Sequence, residues 1–338
     1  MKIGLIDVDN FQKKKIKFPN LALMKISAWH KSRGDHVEWW NGFDHYDRVY
    51  MSKVFGEEYT TDMEFAINAD EIIKGGTGYV KREDDEYKTL RIFRDGEWVI
   101  ITKPEQMVYG NVSYAEFLPN DIEHIYPGYD LYPELTKDTA FGFLTRGCPR
   151  GCHFCGVAGK EGRRSVKVAD LSEWWRGQKN IVLCDPNTLA YKGHMELLGQ
   201  LADSRAWVDV NQGFDSRLLT PASVEAINAI KLKNIHFAWD YMKEEKPVLR
   251  GLELYKSMAK RKVKGAWGAV YTLTNYDTTM EENLYRIYKL RDMEYDPYVM
   301  IYNKPNAPKE LRDLQRWCNN KWIFKKCPRF EDYDPGVR

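Results

Sequence analysis

The sequence predicts an α/β protein in two parts: a Rossmann/flavodoxin-like α/β domain, then a partial, TIM-like (βα)6 barrel. Two observations predict it. From residue 138 onward, short apolar segments alternate with amphipathic ones six times in succession. Upstream, strand-like and helix-like segments also alternate, the pattern of a parallel sheet. The length agrees: 338 residues exceed what one ordinary core needs, although a single large barrel would also fit.

The first part spans residues 1–110. Lys2 to Val8 is a short apolar strand. Pro19 opens a helix with Leu21, Leu23, Met24, Ile26 and Trp29 apolar, ending at Gly34. His36 to Trp40, Arg48 to Phe55 and Glu71 to Lys74 read as further strands, the last running into Gly75-Gly76-Thr77-Gly78. Residues 81–105 break the pattern. Thr89 to Phe93 and Glu97 to Thr102 flank Arg94-Asp95-Gly96, which predicts a surface β-hairpin inserted in the domain. Residues 111–137 are rich in Pro, Tyr and acids and read as an ordered linker.

The second part spans 138–305, with a C-terminal helix and tail over 306–338. Its predicted strands are Phe141–Thr145, Ile181–Cys184, Trp207–Val210, Ile235–Trp239, Ala266–Leu273 and Tyr298–Tyr302. The helices following them are Val168–Gly177, His194–Ala202, Pro221–Lys231 with Thr220 as N-cap, Val248–Lys260, Met280–Met293 and Lys309–Phe324. Six units cannot close an eight-fold barrel but can form an open one, with its chemistry at the C-terminal strand ends.

Composition bounds the rest. A hydrophobic share of 43% with 30% charged residues describes a globular chain, not a disordered or fibrous one. No run of eighteen apolar residues appears, so no membrane-spanning helix is expected. The N-terminus turns acidic at Asp7, too soon for a secretory signal, and a cytoplasmic location is the expectation. A formal net charge of +2 neither demands nor excludes nucleic acid.

Three of the six cysteines sit within eight residues: Arg146-Gly-Cys148-Pro-Arg-Gly-Cys152-His-Phe154-Cys155, directly after the first strand of the second part. Such clustering in a cytosolic chain argues for a metal or cluster site and against disulfides. Three thiolates cannot saturate a four-iron cubane, so one iron would stay open to an exogenous ligand. Gly147, Pro149 and Gly151 let the backbone wrap closely. A zinc site would want a fourth ligand, and His153 is adjacent; but a residue between ligands usually points away, and no second knuckle exists. Cys184 and Cys318 read as core, and Cys327 as either a packed cysteine or a reactive thiol.

This C-x3-C-x-aromatic-C motif at the mouth of the first of six βα units resembles the radical S-adenosylmethionine (SAM) superfamily, over Phe141 to Tyr302. The resemblance implies a [4Fe–4S] cluster on Cys148, Cys152 and Cys155, with SAM chelated at the open iron. It implies reductive cleavage to a 5′-deoxyadenosyl radical acting on a substrate that the sequence does not identify. An electron donor such as flavodoxin or ferredoxin is implied as partner. Phe154 matches the aromatic whose backbone lies near the SAM adenine. Asp185 and Asn187 end the second strand, where relatives contact the SAM amino group; a plain Asp-Pro-Asn turn is the alternative. Asp215 and Arg217, after the third strand, suit ribose hydroxyls and the SAM carboxylate, or simply pair with each other. Asp240 and Asn275 end the next two strands.

The first part resembles the domain of the cobalamin-binding subclass, in which a glycine turn like Gly75-Gly76-Thr77-Gly78 approaches the cofactor tail. The resemblance departs at one point: no Asp-x-His-x-x-Gly supplies a cobalt-ligating histidine, and His30, His36 and His45 lack that context. Bound cobalamin and a vestigial domain gripping a substrate or partner both stay open. Near the end, Lys321-Trp-Ile-Phe-Lys-Lys326 with Arg329 fits either stacking on nucleic-acid bases or, more commonly, a solvated helix face. A rival to the enzyme is a non-catalytic metal or iron–sulfur protein that binds a partner or nucleic acid. Methyl transfer and rearrangement remain open, and the absence of a second cysteine set counts against sulfur insertion.

Overall fold

In the computed structural model the described residues are 1–11, 16, 18–63, 66–82 and 89–336. The chain is mixed α/β and forms two compact units, Met1–Gly142 with 156–163 and 172–178, and Phe143–Cys155 with 164–171 and Lys179–Arg338.

The first unit opens with β1 (Lys2–Asp7), α1 (Leu21–Ser32), β2 (His36–Trp39), β3 (Tyr46–Ser52) and β4 (Ala69–Gly75). After them come β5 (Val80–Arg82), β6 (Leu90–Arg94), β7 (Glu97–Ile101), β8 (Val108–Tyr109) and β9 (Val112–Ala115). Short helices α2 (Asn120–Glu123) and α3 (Pro133–Thr136) follow. The main sheet runs β2-β1-β3-β4-β9-β8, parallel except for the β8–β9 pair. That doubly wound order matches the flavodoxin-like expectation.

Parallel strands must bury both faces, which is why β1 is an unbroken apolar run. Ile3 and Leu5 pack on Leu23 and Ile26 of α1. Ile6 and Val8 face a different cluster that contains Ile92, Phe93 and Ile101. The expected surface hairpin is therefore a three-stranded antiparallel sheet, β5-β6-β7, supplying core where a second helix would lie. Residues 83–88 of that insertion lie outside the described residues. The expected linker 111–137 also contains structure: β9 joins the main sheet, so the domain does not stop at 110. Four residues, Val-Ser-Tyr-Ala, are too short to carry a periodic signal.

The second sheet runs β10-β13-β14-β15-β16-β17, in chain order. Its strands are β10 (Thr139–Gly142), β13 (Asn180–Leu183), β14 (Trp207–Val210), β15 (Leu232–Ala238), β16 (Ala269–Thr274) and β17 (Asp296–Ile301). Each neighbouring pair from β13 to β17 is parallel. Between β10 and β13 lie the small β11–β12 ladder (Thr145–Arg146 with Val166–Lys167) and α4 (Val157–Glu161). The helices α5 (His194–Asp203), α6 (Pro221–Ala229), α7 (Glu245–Met258), α8 (Met280–Asp292) and α9 (Lys309–Asn319) follow β13 to β17 in turn, and α10 (Lys321–Lys326) ends the series.

Two expected helices differ. Residues 168–177 are not a helix; only Leu171–Glu173 makes a 3-10 turn, and Trp174 is buried from irregular chain. The expected helix 309–324 breaks at Asn320, whose side chain leaves the ladder to accept from Trp322 and Ile323 N–H and cap α10. Thr220 does cap α6, accepting from Ser223 N–H. Among the described residues no helix is long and apolar enough to cross a membrane.

Candidate functional site

The cysteine loop leaves the sheet after Thr145–Arg146 and returns at Val166–Lys167, so an antiparallel ladder closes its base. Gly147 and Gly151 turn the backbone with φ of 83° and 56°, a conformation side-chain-bearing residues avoid. Cys148 and Cys152 are half-buried and Cys155 is exposed; none of the six cysteines forms a disulfide. Cys155 N–H donates to the Cys152 carbonyl at 2.9 Å, which tightens the last turn of the motif.

Asp185 anchors this loop. It is 2% exposed and sits just beyond β13. One oxygen accepts from Leu144 N–H at 2.7 Å; the other accepts from Thr145 N–H at 3.0 Å, Thr145 Oγ1 at 2.7 Å and Thr188 Oγ1 at 3.0 Å. Burial pushes its carboxyl up to about 6 in spite of those donors.

Asn187 lies two residues on and is 3% exposed. Its amide nitrogen donates toward Cys148 Sγ at 3.5 Å and Asp215 Oδ2 at 3.4 Å. Its Oδ1 is buried without a hydrogen-bond partner, an acceptor that folding alone leaves unused. Its backbone carbonyl accepts from Ser165 Oγ at 2.9 Å, which ties the returning limb of the loop to the same strand end.

Asp215 and Arg217 pair with each other. Arg217 Nε meets Asp215 Oδ1 at 2.6 Å and Nη2 meets Oδ2 at 3.0 Å, while Arg217 Nη1 reaches Glu244. Arg150, from inside the cysteine motif, adds a third contact to Asp215 at 2.7 Å. Burial disfavours the Asp215 carboxylate, but the Arg217 and Arg150 guanidinium groups outweigh it and hold the group below the usual range. Arg150 was not singled out by sequence; an arginine between two ligands has no signature until its partner is placed.

Phe154 sits among tyrosines: its ring centroid is 5.5 Å from Tyr241 and 5.5 Å from Tyr276, and Tyr276 lies 4.9 Å from Tyr302. Asp240 is half-buried, accepts from Leu273 N–H at 3.2 Å, and is pushed up to about 6 by desolvation against the pull of Arg286. Asn275 donates to the Tyr302 carbonyl at 2.8 Å and closes a turn. Cys184 and Cys318 are buried, and Cys327 is half-buried with its thiol on the Arg329 carbonyl.

Cys152 is the electrostatic centre of the motif. Burial first, then the neighbouring Cys155, push its thiol up to about 11; Arg217 pulls the other way, and Asp240 and Cys148 add to the rise. Among the described residues no group of three or more His, Cys, Asp or Glu side chains is placed to hold a metal ion, the three cysteines of the loop included. Charge on Cys155 and on Cys148 disfavours the Cys152 thiolate, so a cation would be needed to hold all three deprotonated. The donor set fits an iron–sulfur cluster: three soft sulfurs on one glycine-hinged loop, with an amide N–H directed at one sulfur.

The cobalamin expectation fares differently in the first unit. His30 is buried between Asp35 (2.6 Å) and Tyr50 (3.0 Å); His36 meets Glu38, His45 meets Asp70 and His124 meets Glu173. The glycine turn packs on its own chain: a Cβ on Gly76 would strike the Lys53 carbonyl, and one on Gly78 would lie 2.6 Å from the Phe55 carbonyl. These residues do not fit a histidine-ligated cobalamin.

No protein-family model matches the chain, and no curated protein matches it. Among solved structures, it is similar to the radical S-adenosylmethionine methyltransferase TsrM from Kitasatospora setae, determined with cobalamin and a [4Fe–4S] cluster bound. The TM-score is 0.58 at 10% identity, over 89% of this chain and 74% of that one. At that identity the likeness is one of fold: the chain shares the fold of that protein.

Proposed function

We propose that the chain is a radical SAM enzyme, that its second sheet is a partial (βα)6 barrel, and that Cys148, Cys152 and Cys155 hold a [4Fe–4S] cluster. One observation carries the reading: at the strand end beside the cysteine loop, Asn187 gives its amide to Cys148 and keeps a buried, unpartnered carbonyl oxygen. A structural asparagine would have spent that acceptor, because an unmet buried acceptor costs about 1–3 kcal/mol. The ammonium-like amino group of SAM is the donor it suits.

When bound, the reduced cluster would supply one electron to the SAM sulfonium and so release a 5′-deoxyadenosyl radical that takes hydrogen from the substrate. The chain's residues divide the remaining tasks. Asp185 fixes where the loop leaves the sheet. Asn187 receives the amino group. Arg217 is oriented by Asp215 and Glu244 and presents the positive charge suited to a carboxylate. Phe154 and Tyr241 offer apolar surface for the adenine and exclude water. A reduced cluster suits the cytoplasm and a donor such as flavodoxin or ferredoxin. Methyl transfer and rearrangement would both start from the same cluster, and the substrate decides between them. Cobalamin takes no part in the reading.

Anaerobic reconstitution with iron, sulfide, dithionite and SAM is expected to give 5′-deoxyadenosine. Cys152→Ala is expected to lose both iron and product. A protein that takes up only zinc and forms no 5′-deoxyadenosine would overturn the assignment, in favour of a non-catalytic metal protein.

A further inference from the structure

A parallel sheet covered on both faces reads as continuous apolar strands. The second sheet does so on one face only. Val208, Val210, Ile235, Phe237, Val270 and Val299 are buried. Phe237 packs on Tyr255 of α7, and Val299 belongs to the cluster with α8 and α9, so this parity faces the helices. The other parity carries Asp209, Asn234, His236, Tyr271 and Tyr298 on three consecutive strand pairs, with Asp209 level with Asn234, His236 with Ala269, and Tyr271 with Tyr298. Polar and aromatic side chains in register on one face cost stability unless something meets them.

Their hydrogen bonds leave one kind of group over. His236 Nδ1 lies 2.8 Å from the Val210 carbonyl. A carbonyl can only accept, so Nδ1 carries the hydrogen and is spent on the backbone. Tyr271 donates its hydroxyl hydrogen to the Asn211 carbonyl at 2.8 Å. Asp209 Oδ2 accepts from the Asn234 amide, while Oδ1 is buried with no hydrogen-bond partner and lies 3.9 Å from His236 Nδ1. The imidazole stacks on the Tyr271 ring at 5.0 Å and 3°, and Tyr298, 39% exposed, stands edge-on to Tyr271 at 5.8 Å.

A carboxylate with an unspent oxygen beside stacked aromatic faces is the chemistry that receives an organic cation. We propose that Asp209, His236, Tyr271 and Tyr298 form a binding site for a protonated amine or similar nitrogen cation. The site rests on the radical SAM reading for one step only, that its ligand is the substrate.

The test is binding to the full-length protein without cluster or SAM. Benzylammonium, benzyl alcohol and benzoate share one ring and differ in charge. In NMR-monitored titrations benzylammonium is expected to bind best and benzoate worst. Asp209→Asn keeps the shape and is expected to weaken benzylammonium about tenfold, the factor of one charge-assisted hydrogen bond. Tyr271→Phe keeps the aromatic face and is expected to retain binding, whereas Tyr271→Leu is expected to lose it; a merely structural tyrosine would show no such split. Equal binding of the three probes, no binding, or an unaffected and normally folded Asp209→Asn overturns the site. Because the assay needs no SAM, these outcomes are separate from the formation of 5′-deoxyadenosine, and either reading can fail alone.

Discussion

Asn187 is held by one half of its side chain and left open by the other. The amide nitrogen is engaged by Cys148 and Asp215, and the carbonyl oxygen is buried without a donor. Asn187→Leu keeps the volume and removes both polar ends. Folding stability should therefore change by less than about 1 kcal/mol, because the lost N–H contacts are long and an unmet acceptor disappears with them. Affinity for SAM, measured by equilibrium dialysis on reconstituted protein, should fall about tenfold or more. A large loss of stability with unchanged affinity would make Asn187 structural. Asp215 behaves in the opposite way, since its oxygens are spent on Arg150 and Arg217. Asp215→Asn takes a carboxylate from Arg150, which is exposed to water, and from Arg217, which keeps Glu244, and should cost about 1–3 kcal/mol near neutral pH. The native carboxyl lies below its ordinary value of 3.8, so it binds fewer protons folded than unfolded. Its contribution is present above that value and fades as pH falls through the lower, folded one. Thermal melts from pH 7 to pH 3 should thus show the wild-type advantage over Asp215→Asn shrinking on the acid side. The cysteine spacing and the strand-end Asn187 were legible in the sequence. That Asp215 and Arg217 pair was one of two open readings, and Arg150 as third member needed the fold, because loop residues 65 positions apart share no pattern.

At the scale of elements, the cysteine loop is positioned by a side chain from the neighbouring strand. Asp185 receives four hydrogen bonds, two of them from backbone N–H groups of Leu144 and Thr145. Asp185→Asn replaces one acceptor oxygen by a donor that would oppose one of those N–H groups. It should cost about 2–3 kcal/mol, and iron bound per chain after reconstitution should drop with it. Retained stability together with full iron loading would show that the ladder Thr145–Arg146 with Val166–Lys167 holds the loop unaided. A second anchor, Arg286 on α8, is fully buried and donates to the Trp239, Asp240 and Leu273 carbonyls at the ends of β15 and β16. Arg286→Met leaves those carbonyls unmet and should cost about 3–5 kcal/mol in denaturant titrations. Sequence singles out Asp185 only as a SAM contact or part of a turn, not as an anchor of the loop, and Arg286 not at all, since an arginine in a polar helix reads as solvated surface. Strands from β13 to β17 were legible to within a few residues because each is a short segment with regularly placed apolar residues followed by an amphipathic helix. The stretch 168–177 was misread: Trp174 and Trp175 mimic an apolar helix face, but the chain there is irregular. Strand β9 was missed because its pairing with β4 is tertiary and its four residues are too few to declare a period.

At the scale of the molecule, the first unit has a doubly wound sheet whose strand ends are finished from within. Asp9 accepts from Val54 and Phe55 N–H just beyond β3. Lys53 is fully buried, pairs with Glu57, and has its ammonium 5.1 Å from the Phe93 ring and 5.6 Å from the Tyr79 ring. Gly76 and Gly78 are glycines because Lys53 and Phe55 occupy the space a side chain would take. The turn that would approach a cofactor tail is thus packed on its own domain, and each histidine of the unit faces a carboxylate. If the domain is built this way, cobalamin has nothing to gain by stabilising it. A ligand at a hundredfold excess over its Kd adds about 2.7 kcal/mol to a native state that alone binds it, which in a domain of this size raises the melting temperature by several degrees. Hydroxocobalamin is therefore expected to leave the melting curve in place, and the reconstituted protein is expected to cleave SAM without it. A concentration-dependent rise, with corrinoid absorbance that survives gel filtration, would mean that the glycine turn opens and Lys53 moves. Gly78→Ala separates the two cases. In a closed turn it should cost about 2 kcal/mol of stability through the clash with Lys53 and Phe55, with no effect on SAM cleavage; in a cofactor-binding turn it should abolish the cobalamin-dependent rise instead.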